Sequence, residues 1–388
     1  MRLLPWEYGI RNVGRSPLRF SLTVSGSALV VGLALACGAF VRGMEKSLTT
    51  SAQGANVVLM GAGSEESVER SEIDANVGSL LLASVPGIRS RLGVHYVSPE
   101  VHLQTSLQAS RDSEKELVVV LRGVTHQAFL VHPSVRIVEG RAPLAGRDEM
   151  MVGRLAAAKM GVSDEELAIG GTLRFDNRAW TITGRFSAPN TVMDAEIWCP
   201  LRDLQIAAKR DNLSGVVATL DQAAFEDVDT FCKQRLDLEL TAMRESEYYG
   251  KLAAFFQPVR TMVWTTAVLI SLGGFLGWLN TMYAAFAMRV REFGTLQAIG
   301  YPRRAVVISL LQESMLATAC GGLVACAIGI FLLDGLAVRF SMGAFGLVVD
   351  SNVIFVGLGA GLLLAIVGTL PPAWRCLRMP VSSALKAV

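Results

Sequence analysis

Three stretches of this chain run for more than twenty residues without an Asp, Glu, Lys or Arg: Phe20–Val41, Thr261–Met288 and Ser351–Trp374. A fourth, Ala305–Leu333, is interrupted only by Glu313. A bilayer core needs about 20 apolar helical residues to cross it. The helix is also the one open chain form that satisfies its own backbone polar groups there. The runs therefore predict four transmembrane α-helices in a 1+3 layout. Between the first two lies a long stretch of ordinary polar and apolar mixture. Half the residues are hydrophobic (51%) and only 18% charged, which excludes a wholly soluble protein.

The expected organisation is a cytoplasmic segment 1–19, a first span 20–42, an extracytoplasmic α+β domain with helical stalks 43–257 and a second span 258–288. A cytoplasmic elbow 289–304, a third span 305–333, a short external loop 334–350, a fourth span 351–374 and a cytoplasmic tail 375–388 complete it. Orientation follows from Lys and Arg in the short flanks, which stay inside. Arg2, Arg11, Arg15 and Arg19 precede the first span, Arg289, Arg291, Arg303 and Arg304 separate the second and third, and Arg375, Arg378 and Lys386 follow the fourth. The third loop has only Arg339, beside Asp334 and Asp350. Both termini are expected in the cytoplasm. Ala34-Leu35-Ala36 resembles a signal-peptidase site and Ala36-Cys37 a lipoprotein cleavage site. The apolar run continues past Cys37, and Ala34 stands where lipoprotein signals prefer Leu, so the first span reads as an uncleaved anchor.

Within 43–257, Leu173, Phe175, Trp180, Ile182 and Phe186 alternate around Asp176-Asn177, the pattern of a hairpin with one buried face. Strand signals recur at Asn56–Met60, His95–Leu107, Glu116–Val124 and Leu213–Leu220. Helices are expected at Asn76–Val85, Gly153–Met160 and Gln222–Leu236, and a mobile loop at Gly61–Ser71. Enzymatic signatures are missing. There is no H-E-x-x-H, C-x-x-C or G-x-S-x-G. His95 and His102, seven apart, fall on opposite faces of one continuous strand, and a turn near Pro133 separates His126 from His132, so no metal site is expected. Cys199 and Cys232 are the thiols of the oxidising side; they fit a disulfide or buried free thiols. Lys plus Arg (36) nearly balance Asp plus Glu (34), so no nucleic-acid partner is expected.

Glu245–Phe256 has no Gly or Pro except Gly250 and leads toward Pro258. Helical through Met288, it would be roughly 60 Å long and carry displacement across the membrane, with Pro258 as a hinge near the outer surface. The elbow has Val290, Phe293, Leu296 and Ile299 at three-residue spacing, which reads as a helix with a docking face, stopped at Gly300-Tyr301-Pro302. Glu313 is an intramembrane carboxylate: either it pairs with a basic residue at the cytoplasmic end during coupling, or it serves snorkelling or helix packing.

The run Arg291-Glu292-Phe293-Gly294-Thr295-Leu296-Gln297-Ala298-Ile299-Gly300, followed by Gln312-Glu313-Ser314 and Gly321-Gly322, resembles the FtsX/MacB-like family of ABC-transporter permeases. The opening Tyr8-Gly9-Ile10-Arg11-Asn12 and closing Pro372-Ala373-Trp374-Arg375 and Pro380–Leu385 are similar to that family's ends. Leu121-Arg122-Gly123-Val124, Glu139-Gly140-Arg141, Val152-Gly153, Gly170-Gly171 and Trp198-Cys199-Pro200 resemble its extracytoplasmic core. The order and spacing of these short motifs cover nearly the whole chain. Two positions depart: the family often has Glu where Met288 stands and a basic residue where Gln297 stands.

No G-x-x-x-x-G-K-[ST] occurs, so this chain cannot cradle ATP in a Walker A loop. The resemblance implies that ATP and Mg are held by a cytoplasmic ABC ATPase subunit, docked through Arg291, Glu292, Phe293, Gly294, Leu296, Ala298, Ile299 and Gly300. It further implies a second permease, identical or a paralogue, in a bacterial inner membrane, and is compatible with a periplasmic adaptor or outer-membrane duct. Gly273-x-x-x-Gly277 and Gly357-x-x-x-Gly361 permit close helix packing. The expected function is a mechanotransmitting permease that exports or extracts a hydrophobic, lipid-linked or peptide-like molecule. The alternative is a regulator that activates a cell-wall hydrolase or senses a ligand. An anchored enzyme would leave the three C-terminal spans unexplained.

Overall fold

The apolar runs form helices and the alternating segments form a sheet in a computed structural model, which describes residues 17–52, 54–108, 117–340 and 343–385. The Tyr8–Asn12 motif, Arg2, Arg11, Arg15 and Lys386 lie outside the described residues. Two units are distinct: a membrane unit up to Arg42, over Pro258–Leu336 and from Leu347 onward, and an outer unit of Gly43–Gln257 with Ala337–Gly346. Helix α1 (Pro17–Ser51) opens the described chain and contributes to both.

In the outer unit the elements run β1 (Asn56–Gly61), α2 (Val77–Ser84), β2 (Ser90–Arg91), β3 (Val94–His95), β4 (Val97–Leu107) and β5 (Leu117–Val124). Next come α3 (Ala128–Val131), β6 (Arg136–Gly140), β7 (Glu149–Gly153), α4 (Ala156–Met160), β8 (Thr172–Phe175), β9 (Arg178–Ser187) and β10 (Ile197–Pro200). Then follow α5 (Leu201–Ala208), β11 (Gly215–Thr219), α6 (Phe225–Gln234), β12 (Leu240–Arg244) and α7 (Glu245–Phe255). Ten strands form one sheet in the order β12-β1-β11-β4-β5-β10-β7-β9-β6, with β8 on β9. The eleven residues of β4 hold its halves together: Val97–Glu100 pair with β11, and Val101–Leu107 with β5. Alternation sorts the faces. Leu117, Val119 and Leu121 of β5 enter the main apolar core, while Arg122 points to the opposite side. Each fully buried Leu, Ile or Val here contributes about 1.5–3 kcal/mol. Asp176 and Asn177 both take positive φ (45° and 61°), the conformation a two-residue hairpin turn demands, and Phe175 pairs with Arg178 across it.

Several boundaries differ from the sequence expectations. The helix expected from Gly153 starts at Ala156, because Gly153 remains in β7 paired with Phe186. The strand expected from His95 is broken at Tyr96, so His95 and His102 do not share it. Gly61–Ser71 contains a 3-10 turn at Val68–Arg70, with Val68 buried. Cys199 and Cys232 are buried free thiols, not a disulfide. Cys199 is on β10, and Cys232 is on α6, which packs on β12. Those strands are five places apart in the sheet, roughly 24 Å at the usual strand spacing.

The membrane unit continues with α8 (Gln257–Ala287), α9 (Val290–Ala298), α10 (Arg303–Ile328), α11 (Ser351–Leu377) and α12 (Val381–Leu385). Helix α10 is prolonged by a π turn through Leu333. Helices α1, α8, α10 and α11 are long and apolar enough to cross a membrane. The single 60 Å helix does not form: Phe256 leaves helical geometry (φ −88°, ψ 2°) between α7 and α8. Pro258 falls in the first turn of α8, where its missing N–H costs nothing, so it starts a helix instead of kinking one. The expected loop 334–350 lies between the third and fourth spans and is not featureless. It carries a strand pair, β13 (Ala337–Phe340) and β14 (Gly343–Gly346), which belongs to the outer unit. Lys159 Nζ of α4 donates to the Phe340 carbonyl at 3.1 Å. Helix α11 passes through Pro371 and Pro372 and ends at Leu377, beyond Trp374.

Small residues set the helix contacts. A Cβ on Gly321 would fall on Ser27 Oγ and Val24 O of α1, and one on Gly357 or Gly361 would crowd Leu35 or Val31 at 2.9 and 2.8 Å. By contrast, a Cβ on Gly273 or Gly277 of α8 would meet nothing within 4 Å among the described residues.

Candidate functional site

The elbow is helix α9, entered through Arg289 and ended at Gly300. Gly300 takes φ +101°, its N–H bonds to Gln297 O at 3.1 Å, and Tyr301 N–H bonds to Leu296 O at 3.1 Å. This is a Schellman ending, in which the left-handed residue favours glycine. At the other end Arg289 is 6% exposed and lies 5.4 Å from the Phe293 ring centre. Its Nε donates to Glu292 at 3.2 Å and its Nη1 to Glu313 at 2.9 Å. Glu313 lies on α10, so this guanidinium ties the elbow to the third span.

The docking face expected from Val290, Phe293, Leu296 and Ile299 is not one face. Three residues advance a helix by 300° or so, so each step slips back by about 60°, and Ile299 ends half a turn from Val290. Val290, Phe293 and Gly294 are buried, and Leu296 is half-buried. Phe293 packs with Phe286, Leu310 and Leu377, its ring 6.2 Å from that of Phe286. A Cβ on Gly294 would lie 3.0 Å from Ala384 Cβ, so α12 rests directly on α9. The apolar face is therefore covered by the chain's own helices. The opposite side presents Met288 (77% exposed), Arg291, Thr295 and Ile299 (67% exposed), flanked by Glu292, Ala298 and Gly300. An apolar, positively charged helix face on a short connector suits docking to a partner.

Comparison with known proteins gives the context for this geometry. A model of the MacB-like periplasmic core domain matches residues 20–229, and one of the FtsX-like permease C-terminal domain matches 264–381. The chain belongs to the FtsX/MacB-like family of ABC-transporter permeases. The elbow falls within the FtsX-like match and the ten-stranded sheet largely within the MacB-like one. A protein named macrolide export ATP-binding/permease protein MacB, from Bdellovibrio bacteriovorus, is 23% identical over 97% of this chain. This chain spans 60% of that relative's length. An uncharacterized ABC transporter permease, YknZ of Bacillus subtilis, is 20% identical over 95% of both chains. Among solved structures, the periplasmic region of MacB from Actinobacillus actinomycetemcomitans is 12% identical over 50% of this chain and 90% of its own, with a TM-score of 0.38. The extracellular domain of a noncanonic ABC-type transporter YknZ is 13% identical over 48% of this chain and 99% of its own, with a TM-score of 0.35.

The outer unit of this permease contains a charged core that the motif Leu121-Arg122-Gly123-Val124 did not reveal. Arg122 is 3% exposed, opposite His102 in the β4–β5 register. It grips Glu196 with Nε and Nη2 at 2.8 and 2.9 Å and donates from Nη1 to Glu100 at 3.0 Å. Glu100 also accepts from His102 Nε2 at 3.0 Å and His132 Nε2 at 2.9 Å, and Trp198 Nε1 donates to Glu196 at 2.9 Å. Burial pushes the Glu100 carboxyl up, but His132, Arg122 and the histidine hydrogen bonds together hold it well below the ordinary carboxylate range. Glu100 and His102 are two apart on one strand and so share a face; pairing His95 with His102 overlooked this. His95 and His126 are exposed. Among the described residues, no cluster of His, Cys, Asp or Glu has the arrangement of a metal site.

Proposed function

We propose that this chain is the mechanotransmitting subunit of an exporter, driven by a separate ABC ATPase that binds the outward face of α9. The observation that carries this reading is the two-sided elbow: Val290, Phe293 and Gly294 fix α9 to the chain's own helices, leaving Arg291, Thr295 and Ile299 for a partner. ATP and Mg act on that partner. Its closure would push the elbow, and Arg289 would pass the push to Glu313 on the third span. Helix α1, one unbroken 35-residue helix, and the α7–α8 pair would carry the motion outward through covalent continuity. Both termini lie in the cytoplasm on this reading. The unfilled Gly273 and Gly277 on α8 suit a second permease, identical or paralogous, and a periplasmic adaptor or outer-membrane duct is compatible with it. The cargo is hydrophobic, lipid-linked or peptide-like. The relative named for macrolide export supports an exported cargo.

Copurification tests this reading. The tagged full chain, isolated in mild detergent, is expected to bring down an ABC ATPase whose hydrolysis changes rate on the complex. Repeated recovery of the chain with no ATPase would overturn the assignment.

A further inference from the structure

The outer unit holds a cavity of about 770 Å³, part of it open to solvent, to which the coupling reading gives no role. Its walls combine the end of α1 (Met44, Leu48) with α7, strand β5 and the β13–β14 pair. Five aromatic rings line it: Tyr248, Tyr249, Phe256, Phe340 and Phe345. They form two linked groups. Tyr248 and Tyr249 are 5.3 Å apart edge to face, Phe256 and Phe340 are 4.8 Å apart, and Phe340 and Phe345 are 6.3 Å apart. Aromatic faces carry negative quadrupole charge and attract cations, most strongly where water is excluded.

The charged side chains lining the cavity are mainly acidic. Glu69 lines it half-buried and accepts a hydrogen bond from the Ser67 hydroxyl at 2.8 Å. On the inner side lie Arg122 and Glu196, where Glu100 and Glu196 share the single guanidinium of Arg122. Among the lining side chains, the two carboxylates of Glu69 and Glu196 stand against one permanent cation, Arg122. An anionic or neutral ligand would leave that imbalance in a low-dielectric wall. An ammonium or phosphonium group with apolar substituents would offset it while its hydrocarbon surface fills the aliphatic and aromatic walls.

We propose that this cavity is a binding site for a hydrophobic organic cation. The proposal stands on the outer unit alone and is separate from the docking of an ATPase at the elbow. Either can fail without the other.

The test uses the full chain in lipid nanodiscs and tetraphenylphosphonium as the probe, with the free concentration read by an ion-selective electrode. Saturable uptake of about one equivalent per chain, above that of empty nanodiscs, is expected. Glu69→Gln, which keeps shape and removes charge, should weaken it at least fivefold, and Glu69→Arg should abolish it. Tetraphenylborate, matched in size but anionic and measured separately, should show no saturable uptake by the chain. The site is refuted by phosphonium uptake no greater than in empty nanodiscs, by affinity unchanged in Glu69→Gln, or by equal saturable uptake of the borate.

Discussion

Replacing Arg122 by Met is expected to unfold the outer unit, or to lower its resistance to denaturant by about 3–5 kcal/mol, the usual cost of removing one partner from a buried ion pair. The loss comes less from the missing attraction than from what remains. Glu196 would lose its two-pronged partner and Glu100 one of its three, with both carboxylates sealed from water. Met is similar in length and apolar, so packing beside Trp198 changes little. Arg122→Lys should sit between the two, because a point charge cannot grip Glu196 with two nitrogens. Urea titration of the full chain in detergent, followed by near-ultraviolet circular dichroism, measures both. A midpoint for Arg122→Met equal to that of the parent protein would show that the pair is not integral to the fold.

Changing Ile299 to Asp is expected to remove ATP-driven activity while leaving insertion and folding intact. Ile299 lies on the exposed side of α9, where a buried carboxylate arises only once a partner is docked. A central apolar contact at an interface is worth about 2 kcal/mol, so association should weaken about 30-fold or more. Phe293→Ala makes the contrast. Phe293 is 1% exposed and packs within the chain, so its truncation should cost about 3–5 kcal/mol of stability and affect coupling only through the fold. Equal ATPase copurification with Ile299→Asp and the parent protein would remove Ile299 from the interface.

The legibility of the chain divided along physical lines. Spans were plain because length and absence of charge are decided by the bilayer, whatever the tertiary packing. The hairpin at Asp176-Asn177 was plain because two residues that tolerate positive φ sat between alternating strands. The elbow was legible as a helix with a glycine stop, but its buried side was misjudged, since a strict three-residue spacing winds around the helix. The break at Phe256 and the strands at Ala337–Gly346 depend on contacts between segments far apart in sequence, such as the ring pair Phe256–Phe340. The charged core was hidden for the same reason: Glu100, Arg122, His132 and Glu196 meet only when β4, β5, the end of α3 and the start of β10 come together.

The most direct test of the coupling account is photo-crosslinking in membranes. A benzoylphenylalanine placed at Ile299 should form an adduct with an ABC ATPase, while the same group at Ile206, also exposed but on helix α5 of the outer unit, should not. Absence of an adduct from Ile299, Arg291 and Thr295 alike, or an ATPase adduct from Ile206, would contradict it.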